Sequence, residues 1–326
     1  MAHVVGLSEK RQADAALIVT EAATNILKYA GQGEITLANR DVDGVQVLEI
    51  IALDRGPGIA NLTSALADGF STGGSLGAGL GTIRRHASLF DIYSIAGSGT
   101  ALLARIANPP NVPNTANAAN ASNPSTTPDA GAESFQVGVK STRKFGQEVC
   151  GDAWGVRRVG PNLWVTLLDG LGHGPMAAEA SNRAVGVFLE ADPADQPADV
   201  LRRAHQGIKD TRGAVMAVAM FDRASRTMSF AGVGNIVGIV ASAEETQHLI
   251  STDGTVGYNM RAVRPREASW TKGSVFIATT DGLSTRWNLT RHPGLVQRHP
   301  SLIASVLHRD FARDADDATI IVVKAA

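Results

Sequence analysis

One stretch of sequence decides how the second half of the chain is interpreted: Leu167-Leu168-Asp169-Gly170-Leu171-Gly172-His173-Gly174. The apolar run 162–166 before it predicts a buried strand, and residues 175–180 after it predict the first turn of a helix. A carboxylate therefore lies where a strand ends, beside glycines that let the backbone turn sharply. A carboxylate and a main-chain oxygen from adjacent residues suit Mg²⁺ or Mn²⁺. Asp-Gly is also a common turn dipeptide, so this stretch alone leaves both interpretations open.

Composition limits the classes of protein to which the chain can belong. A length of 326 residues predicts two domains, and 30 Lys and Arg against 31 Asp and Glu indicate neither a nucleic-acid partner nor an acidic membrane surface. A single cysteine, Cys150, excludes a disulfide framework and a cysteine-rich zinc site. No apolar run approaches the roughly 18 residues of a membrane span, and the first residues are not a signal peptide. We therefore expect a soluble, cytoplasmic protein.

Three short motifs stand out in the first hundred residues. Apolar positions at helical spacing predict one helix over residues 9–30, on which Glu21 and Asn25 share a face. Such a pair is also typical of a solvated polar stripe. Two strands are predicted at 34–39 and 45–53, and the second leads into Asp54-Arg55-Gly56-Pro57-Gly58. A glycine-rich loop over 68–81 then opens a helix at 82–89, and a hairpin follows over 91–106.

Three motifs occur in a fixed order: Glu21-x-x-x-Asn25, Asp54-x-Gly56-x-Gly58 and Gly77-x-Gly79-x-Gly81. They resemble the N, G1 and G2 boxes of GHKL (Bergerat-fold) ATP-binding domains. The sequence around them is most similar to that of RsbT-type serine kinases. The resemblance implies ATP and Mg²⁺ as cofactors, with Asn25 as a metal ligand and Glu21 as the base. It also implies that Asp54 accepts from the adenine amino group and that the glycine-rich lid covers the phosphates. Thr100 is predicted as a second adenine contact. Family members usually carry a strand and a helix before this segment, so the implied α/β sandwich lacks its first strand and helix.

The chemistry agrees with these roles. A triphosphate needs a cation and backbone donors at a helix N-terminus, which glycines allow to approach closely.

The composition changes sharply after this first domain, which we assign to residues 1–106. Residues 107–134 are rich in Asn, Pro, Ala, Ser and Thr and contain almost no large apolar side chain. Such a segment cannot bury enough surface to offset its ordering entropy, so we predict a disordered tether spanning about 30 Å. The second domain is assigned to residues 135–326.

In the second domain strands outnumber helices, and aspartates recur at the predicted strand ends. The motifs are Gly151-Asp152, the quoted stretch, Thr280-Asp281-Gly282 and Asp316-Asp317-Ala318-Thr319. Together they resemble the PPM metal-dependent phosphatases in their SpoIIE/RsbX form, which implies an α-β-β-α sandwich. By this resemblance Asp152, Asp169, Asp281, Asp316 and the Gly170 carbonyl hold two Mn²⁺ or Mg²⁺ ions, with Asp317 as the alternative to Asp316. Each aspartate alone is equally typical of a cap or a turn.

Two-metal chemistry explains why acidic residues are gathered in this way. Paired divalent ions lower the pKa of a bound water and offset charge on the phosphoryl oxygens during in-line attack. His173 is expected to support the site without ligating metal, and Arg143 is a weak candidate for a phosphate clamp.

The combined interpretation is a two-domain α+β protein with an ATP-dependent serine kinase and an opposing phosphoserine/phosphothreonine phosphatase. By resemblance the partners are STAS-domain phosphoproteins of a stressosome or sigma-factor module, together with sigma-factor regulators or a downstream phosphatase. The alternative is a phosphatase regulated by a GHKL domain that binds nucleotide or a partner without transferring phosphate. A DNA-topology or mismatch-repair ATPase shares the GHKL boxes, but the small domain and the phosphatase motifs argue against it.

Overall fold

The computed structural model describes residues 6–42, 44–66, 79–109, 135–242 and 245–325. The chain divides into two compact units, Met1–Glu133 and Ser134–Ala326. Most of the glycine-rich lid, including Gly77, and the tether from residue 110 onward lie outside the described residues. The domain boundaries drawn from the sequence stay a prediction.

The first helix differs from its prediction at its C-terminal end. Helix α1 spans Glu9–Asn25, and the chain then continues as a π-helical turn over Ile26–Ala30. Gly31 ends the turn with a positive φ of 76° and donates its N–H to the Ile26 carbonyl at 2.9 Å. Alpha-helical and π-helical turns place apolar residues at similar sequence spacing, so the change at Asn25 could not be predicted.

The rest of the first unit is a sheet with helices against it. The strands, all antiparallel, are β1 (Gly33–Val42), β2 (Val45–Asp54), β3 (Leu89–Ser94) and β4 (Thr100–Ile106), in the order β1-β2-β4-β3. Two short helices, α2 (Leu62–Ala65) and α3 (Gly79–His86), lie between β2 and β3. Buried residues of α1, including Ile18 and Ala22, pack with Ile83 of α3 and with Ile50 and Ile106 of the sheet.

A buried carboxylate fixes α3 beside α1. Asp14 of α1 is 7% exposed and binds Arg11 at 2.8 Å and the His86 Nδ1 atom at 2.6 Å. Arg11 also donates to the His86 carbonyl at 3.1 Å. Because His86 is the last residue of α3, these contacts hold that helix against α1, and the start of α3 is where the lid motif ends.

The second unit contains twelve strands and three α-helices in its described ranges. The strands are β5 (Phe135–Thr142), β6 (Asp152–Val159), β7 (Asn162–Gly170), β8 (Ala214–Asp222), β9 (Thr227–Val233), β10 (Val237–Ala241), β11 (Thr246–Leu249), β12 (Gly254–Thr255), β13 (Asn259–Met260), β14 (Arg266–Ser269), β15 (Val275–Thr279) and β16 (Ala318–Ala325). The helices are α4 (Pro175–Leu189), α5 (Pro197–Gly207) and α6 (Pro300–Phe311), with short 3₁₀ turns at Leu289–Arg291 and Leu295–Gln297.

These strands form two five-stranded antiparallel sheets and one short two-stranded ribbon. One sheet has the order β14-β9-β8-β7-β6 and the other β11-β10-β15-β16-β5, while β12 pairs with β13. Helices α4 and α5 pack on the first sheet and α6 packs on the second. The four-layer α-β-β-α arrangement implied by the sequence is therefore confirmed.

Strand β7 shows why the two sheets and the helices form separate cores. Alternate side chains of a strand point to opposite faces. Leu163, Val165 and Leu167 join the core that also contains Phe276 and Ile321 of the second sheet. Trp164 and Leu168 lie in the core that contains Phe188 of α4 and residues of α5. Strand β7 thus contributes side chains to both cores, and Asp169 lies near its C-terminal end.

Two details of this unit differ from the sequence prediction. Strand β7 continues through Asp169 to Gly170, so the sharp turn begins only after the motif's first glycine. Strand β14 was not predicted, because Arg266-Glu267-Ala268-Ser269 has no apolar alternation. It pairs with β9 at the sheet edge. Among the described helices, none is both long and apolar enough to cross a membrane.

Candidate functional site

The N-box residues of the first unit lie at the end of α1, where the helix widens into its π-turn. Glu21 and Asn25 are one turn apart and both are partly buried. A π-helical segment inserted at such a point is frequent at functional sites because it redirects side chains. The Asn25 Nδ2 atom is buried and has no hydrogen-bond partner among the described residues. A polar ligand is what usually satisfies such a buried amide.

Gly79, the first residue of α3, lies directly against both N-box side chains. A Cβ atom added to Gly79 would lie 3.0 Å from Glu21 Oε2 and 3.4 Å from Asn25 Oδ1. The lid motif and the N-box predicted from the sequence therefore meet, and any larger residue at position 79 would crowd them. Gly81 lies buried in the first turn of the same helix.

Asp54 and Thr100, the predicted adenine contacts, are joined by a hydrogen bond. Asp54 ends β2, and its Oδ1 atom accepts from the backbone N–H groups of Gly56 at 2.8 Å and Thr100 at 3.1 Å. The hydroxyl of Thr100 lies 3.0 Å from that of Ser94. The strand ends of β2 and β4 thereby place a carboxylate and a hydroxyl side by side.

The two G1 glycines shape the loop around Asp54. Gly58 has a positive φ of 68°, and a Cβ atom there would lie 2.1 Å from the carbonyl oxygen of Ile95. At Gly56 an added Cβ would lie 2.7 Å from the Cβ of Ala30, the last residue of the π-turn. Glycine at position 56 lets this loop pack against the segment that follows Asn25, and glycine at position 58 lets it pack against the backbone of Ile95.

In the second unit, Asp152 and Asp169 form a cross-strand pair. Asp152 begins β6 and is paired in register with Asp169 of β7. The Asp152 carboxylate is 7% exposed. Its Oδ2 atom accepts a hydrogen bond of 2.8 Å from the Thr280 hydroxyl, and its Oδ1 atom is buried with no partner among the described residues. Thr280 follows β15, so this bond ties the two sheets together at the aspartates.

Asp281 and Asp316 lie at the neighbouring strand ends of the second sheet. Asp281 comes just after β15, and its Oδ2 atom accepts from the Asn235 side chain at 2.8 Å. Asp316 comes just before β16, and its Oδ1 atom accepts from the Asp317 N–H at 2.9 Å. All four predicted aspartates therefore lie at the strand ends where the sequence placed them.

Asp317 anchors two neighbouring backbone segments through its carboxylate. It is 3% exposed, and its two carboxylate oxygens accept from the backbone N–H groups of Lys144 at 2.8 Å and Gly151 at 2.9 Å. Both oxygens are therefore engaged in anchoring the segment that leads into Asp152. This arrangement favours Asp316 over Asp317 as a metal ligand.

The electrostatics show that the carboxylates act on one another. Burial raises the pKa of Asp169 to about 8, and the charges of four neighbouring carboxylates, Asp152, Asp281, Asp316 and Asp317, push it the same way. Burial raises the pKa of Asp152 to about 7, although hydrogen bonds from Thr280 and Thr319 lower it. Like charges gathered in a buried place favour protons or cations. In the described ranges no group of three or more His, Cys, Asp or Glu side chains is arranged so that it could hold a metal ion as it stands. The donor set and the unpartnered Asp152 Oδ1 nevertheless fit divalent cations.

Gly170 is the last residue of β7, and His173 lies in the turn that follows it. Gly170 packs so tightly on α4 that an added Cβ would lie 2.2 Å from the Ala177 carbonyl oxygen. His173 is exposed and no described residue hydrogen-bonds to it, and the supporting role expected for it stays a prediction. Arg143, the weak clamp candidate, is likewise exposed.

The sequence assigned no role to three residues that orient the aspartates. Thr280 and Thr319 belong to quoted motifs, and the Thr280 hydroxyl accepts from the Thr319 N–H at 2.9 Å while it donates to Asp152. Asn235 lies in the turn between β9 and β10, where its only signal was a Gly-Asn turn dipeptide.

Two antiparallel sheets packed face to face, flanked by helices and bearing aspartates at adjoining strand ends, define the PP2C class of serine/threonine phosphatases. A family model described as stage II sporulation protein E (SpoIIE) matches residues 160–326. The match covers Asp169, Asp281 and Asp316 and begins after Asp152.

Two curated relatives match different parts of the chain. The serine/threonine-protein kinase RsbT of Bacillus subtilis (strain 168) is 40% identical over 104 residues, which make up 32% of this chain and 78% of RsbT. The phosphoserine phosphatase RsbX of the same organism is 28% identical over 153 residues, or 47% of this chain and 76% of RsbX. The chain therefore belongs to the SpoIIE family through its C-terminal domain and to the RsbT family through its N-terminal domain.

Solved structures agree with this assignment. A structure described under "The bacterial stressosome: a modular system that has been adapted to control secondary messenger signaling" has a TM-score of 0.55 and 28% identity, covering 59% of this chain and 100% of that one. A crystal structure of RsbX in complex with magnesium has a TM-score of 0.51 and 24% identity, covering 59% of this chain and 96% of that one. The similarity to the RsbX structure supports the assignment of the fold.

Proposed function

We propose that the chain is a bifunctional regulator in which an ATP-dependent serine kinase domain and a phosphoserine/phosphothreonine phosphatase domain act on STAS-domain proteins of a cytoplasmic partner-switching module. The proposal rests on one observation: in each unit, predicted site residues from different motifs lie close together. Gly79 meets Glu21 and Asn25 in one unit, and Asp152 pairs with Asp169 in the other. RsbT and RsbX, which match the two parts, are named a serine/threonine-protein kinase and a phosphoserine phosphatase.

In the phosphatase domain Asp152, Asp169, Asp281, Asp316 and the Gly170 carbonyl would hold two Mn²⁺ or Mg²⁺ ions. The ions would supply an activated water and offset the charge of the phosphoryl group. The water oxygen forms a bond to phosphorus, the bond from phosphorus to the serine oxygen breaks, and the serine leaves with a proton as phosphate is released. Thr280 and Asn235 orient Asp152 and Asp281 for this task through their hydrogen bonds.

In the kinase domain Asn25 would bind Mg²⁺, and Glu21 would accept the proton of the attacking serine hydroxyl. Asp54 and Thr100 would receive the adenine edge, while Gly56, Gly58, Gly77, Gly79 and Gly81 would let the backbone approach the nucleotide. The buried, unpartnered Asn25 Nδ2 atom beside Glu21 supports this arrangement, because a phosphate oxygen of the nucleotide would accept its hydrogen bond while Oδ1 binds the cation.

The test uses the full chain and one STAS-domain protein. The Asp169→Ala form, with ATP and Mg²⁺, should phosphorylate the STAS protein on serine, and the Glu21→Ala form, with Mn²⁺, should then release that phosphate. Transfer without release would show that the two domains serve separate substrates. Nucleotide binding without any transfer, together with intact hydrolysis, would establish the alternative in which the GHKL domain regulates the phosphatase.

A further inference from the structure

Arg212 lies beside the loop that carries Asp169 and Gly170. It comes just before β8, whose residues Val215 and Ala214 pair with Asp169 and Gly170. One residue further out, the Leu171 N–H donates to the Gly213 carbonyl at 3.0 Å, which keeps the two chains together beyond the strands. The next pair along this extension is Gly172 and Arg212.

The guanidinium of Arg212 covers Gly172. Its Nη1 atom lies 3.1 Å from the point that a Cβ atom on Gly172 would occupy. The backbone beneath it is held in place, because the Gly213 N–H donates to the Thr211 hydroxyl at 3.1 Å and that hydroxyl donates to the Ile208 carbonyl at 2.7 Å. The backbone of Arg212 is thus held in place while its side chain is exposed.

Arg212 differs from three other arginines of this region in having no hydrogen-bond or ion-pair partner among the described residues. Arg183 binds Asp210 at 2.8 Å, Arg203 binds Asp195 at 2.9 Å, and Arg202 binds Asp199. No described residue makes a hydrogen bond or an ion pair with Arg212.

We propose that Arg212 binds the phosphoryl oxygens of the substrate and of the phosphate product at the edge of the aspartate cluster. A guanidinium presents parallel N–H donors that match two phosphoryl oxygens, and such charge-assisted bonds are among the strongest in proteins. A dianionic phosphoryl group entering beside four carboxylates needs positive charge besides the metal ions, and Arg212 supplies it from the exposed side.

The inference rests on the proposed phosphatase activity. A control variant at a second arginine distinguishes failure of the inference from failure of that proposed activity. Arg223 is exposed and follows the same strand, β8, at its opposite end. The full chain with Mn²⁺ is prepared as wild type, Arg212→Ala, Arg212→Lys and Arg223→Ala. Steady-state kinetics are measured with p-nitrophenyl phosphate and with a phosphoserine peptide, and the inhibition constant of inorganic phosphate is determined.

Arg212→Ala should raise KM for both substrates and the inhibition constant of phosphate by a similar factor, about 10- to 150-fold, as expected for a lost charged hydrogen bond. Arg212→Lys should recover part of this loss, and Arg223→Ala should match the wild type. Phosphate should also raise the melting temperature of the Mn²⁺-loaded wild type but not that of Arg212→Ala, a readout that needs no turnover.

Three results would overturn the assignment. If Arg212→Ala behaves like Arg223→Ala, the arginine does not bind phosphate. If KM rises only for the peptide while phosphate inhibition is unchanged, Arg212 reads the peptide and not the phosphoryl group. If the wild type and Arg223→Ala hydrolyse neither substrate, the proposed phosphatase function itself fails, and this inference fails with it.

Discussion

Asp152 and Asp169 lie directly opposite each other on β6 and β7, and just beyond them the Gly170 N–H donates to the Gly151 carbonyl at 3.2 Å. Like charges in such cross-strand positions destabilise a sheet when both are ionised. The hydrogen bond holds the strand ends together despite this repulsion. The pair therefore depends on protons or cations, and the first two predictions follow from that dependence.

Replacing Asp169 by Asn should abolish hydrolysis of phosphoserine while leaving the fold intact. The amide keeps the shape of the side chain but removes one charge from the cluster, so the metal-free protein should melt at an equal or higher temperature than the wild type. ATP binding by the other domain should be unchanged. Glu190→Gln, an exposed residue just after α4, is the control. Near-normal hydrolysis by Asp169→Asn would contradict the two-metal assignment.

Metal binding and stability should depend on pH in opposite ways. The pKa values of Asp152 and Asp169 are raised in the folded state to about 7 and about 8, from an ordinary value of 3.8. Between pH 4 and 8 the folded protein therefore holds more protons than the unfolded chain, so this pair lowers stability as pH rises. In EDTA this contribution should make the protein less stable at pH 8 than at pH 5.

Mn²⁺ should reverse that loss, because it replaces the protons. The stabilisation by Mn²⁺ should grow from pH 6 to pH 8, measured as the shift in melting temperature of the wild type. Asp152→Asn should flatten this dependence. A metal-induced shift that is equal at both pH values would show that the two carboxylates do not exchange protons for metal.

Asn235 should act as a positioning residue for Asp281. Its side chain donates to Asp281 Oδ2 at 2.8 Å, and it is exposed, so Asn235→Ala should cost little stability. Outer partners of metal ligands typically contribute about 10- to 100-fold in metal affinity or activity. We expect a loss of this size in Mn²⁺ affinity by calorimetric titration. Asn259→Ala, exposed on β13, is the matched control, and equal affinities of the two variants would reject the role.

Asp54→Asn should weaken ATP binding without disturbing the loop around it. The amide oxygen can still accept from Gly56 and Thr100, but an NH₂ group replaces the second carboxylate oxygen. Loss of one hydrogen bond to a charged group should weaken binding about 10- to 150-fold. Glu21→Gln should bind ATP normally and lose phosphate transfer. Equilibrium binding of a fluorescent ATP analogue separates the two, and an equal loss in both variants would indicate a damaged helix.

The sequence by itself determined which elements form and where the polar motifs lie along them. The strand predicted over residues 45–53 runs from Val45 to Asp54, and each expected aspartate lies at a strand end. These features depend on local periodicity and on turn residues, which neighbours in the chain decide. The motif order also carried the family resemblance in both halves.

The tertiary structure alone decided how distant residues meet. The contact of Gly79 with Glu21, the anchoring of Gly151 by Asp317 and the placement of Arg212 over Gly172 each depend on packing between elements far apart in sequence or on the register of paired strands. Asp316 and Asp317 are adjacent and chemically identical, so no pattern distinguishes them. They differ because the fold brings the backbone N–H groups of Lys144 and Gly151 to Asp317, and on this ground we predict Asp316 as the metal ligand.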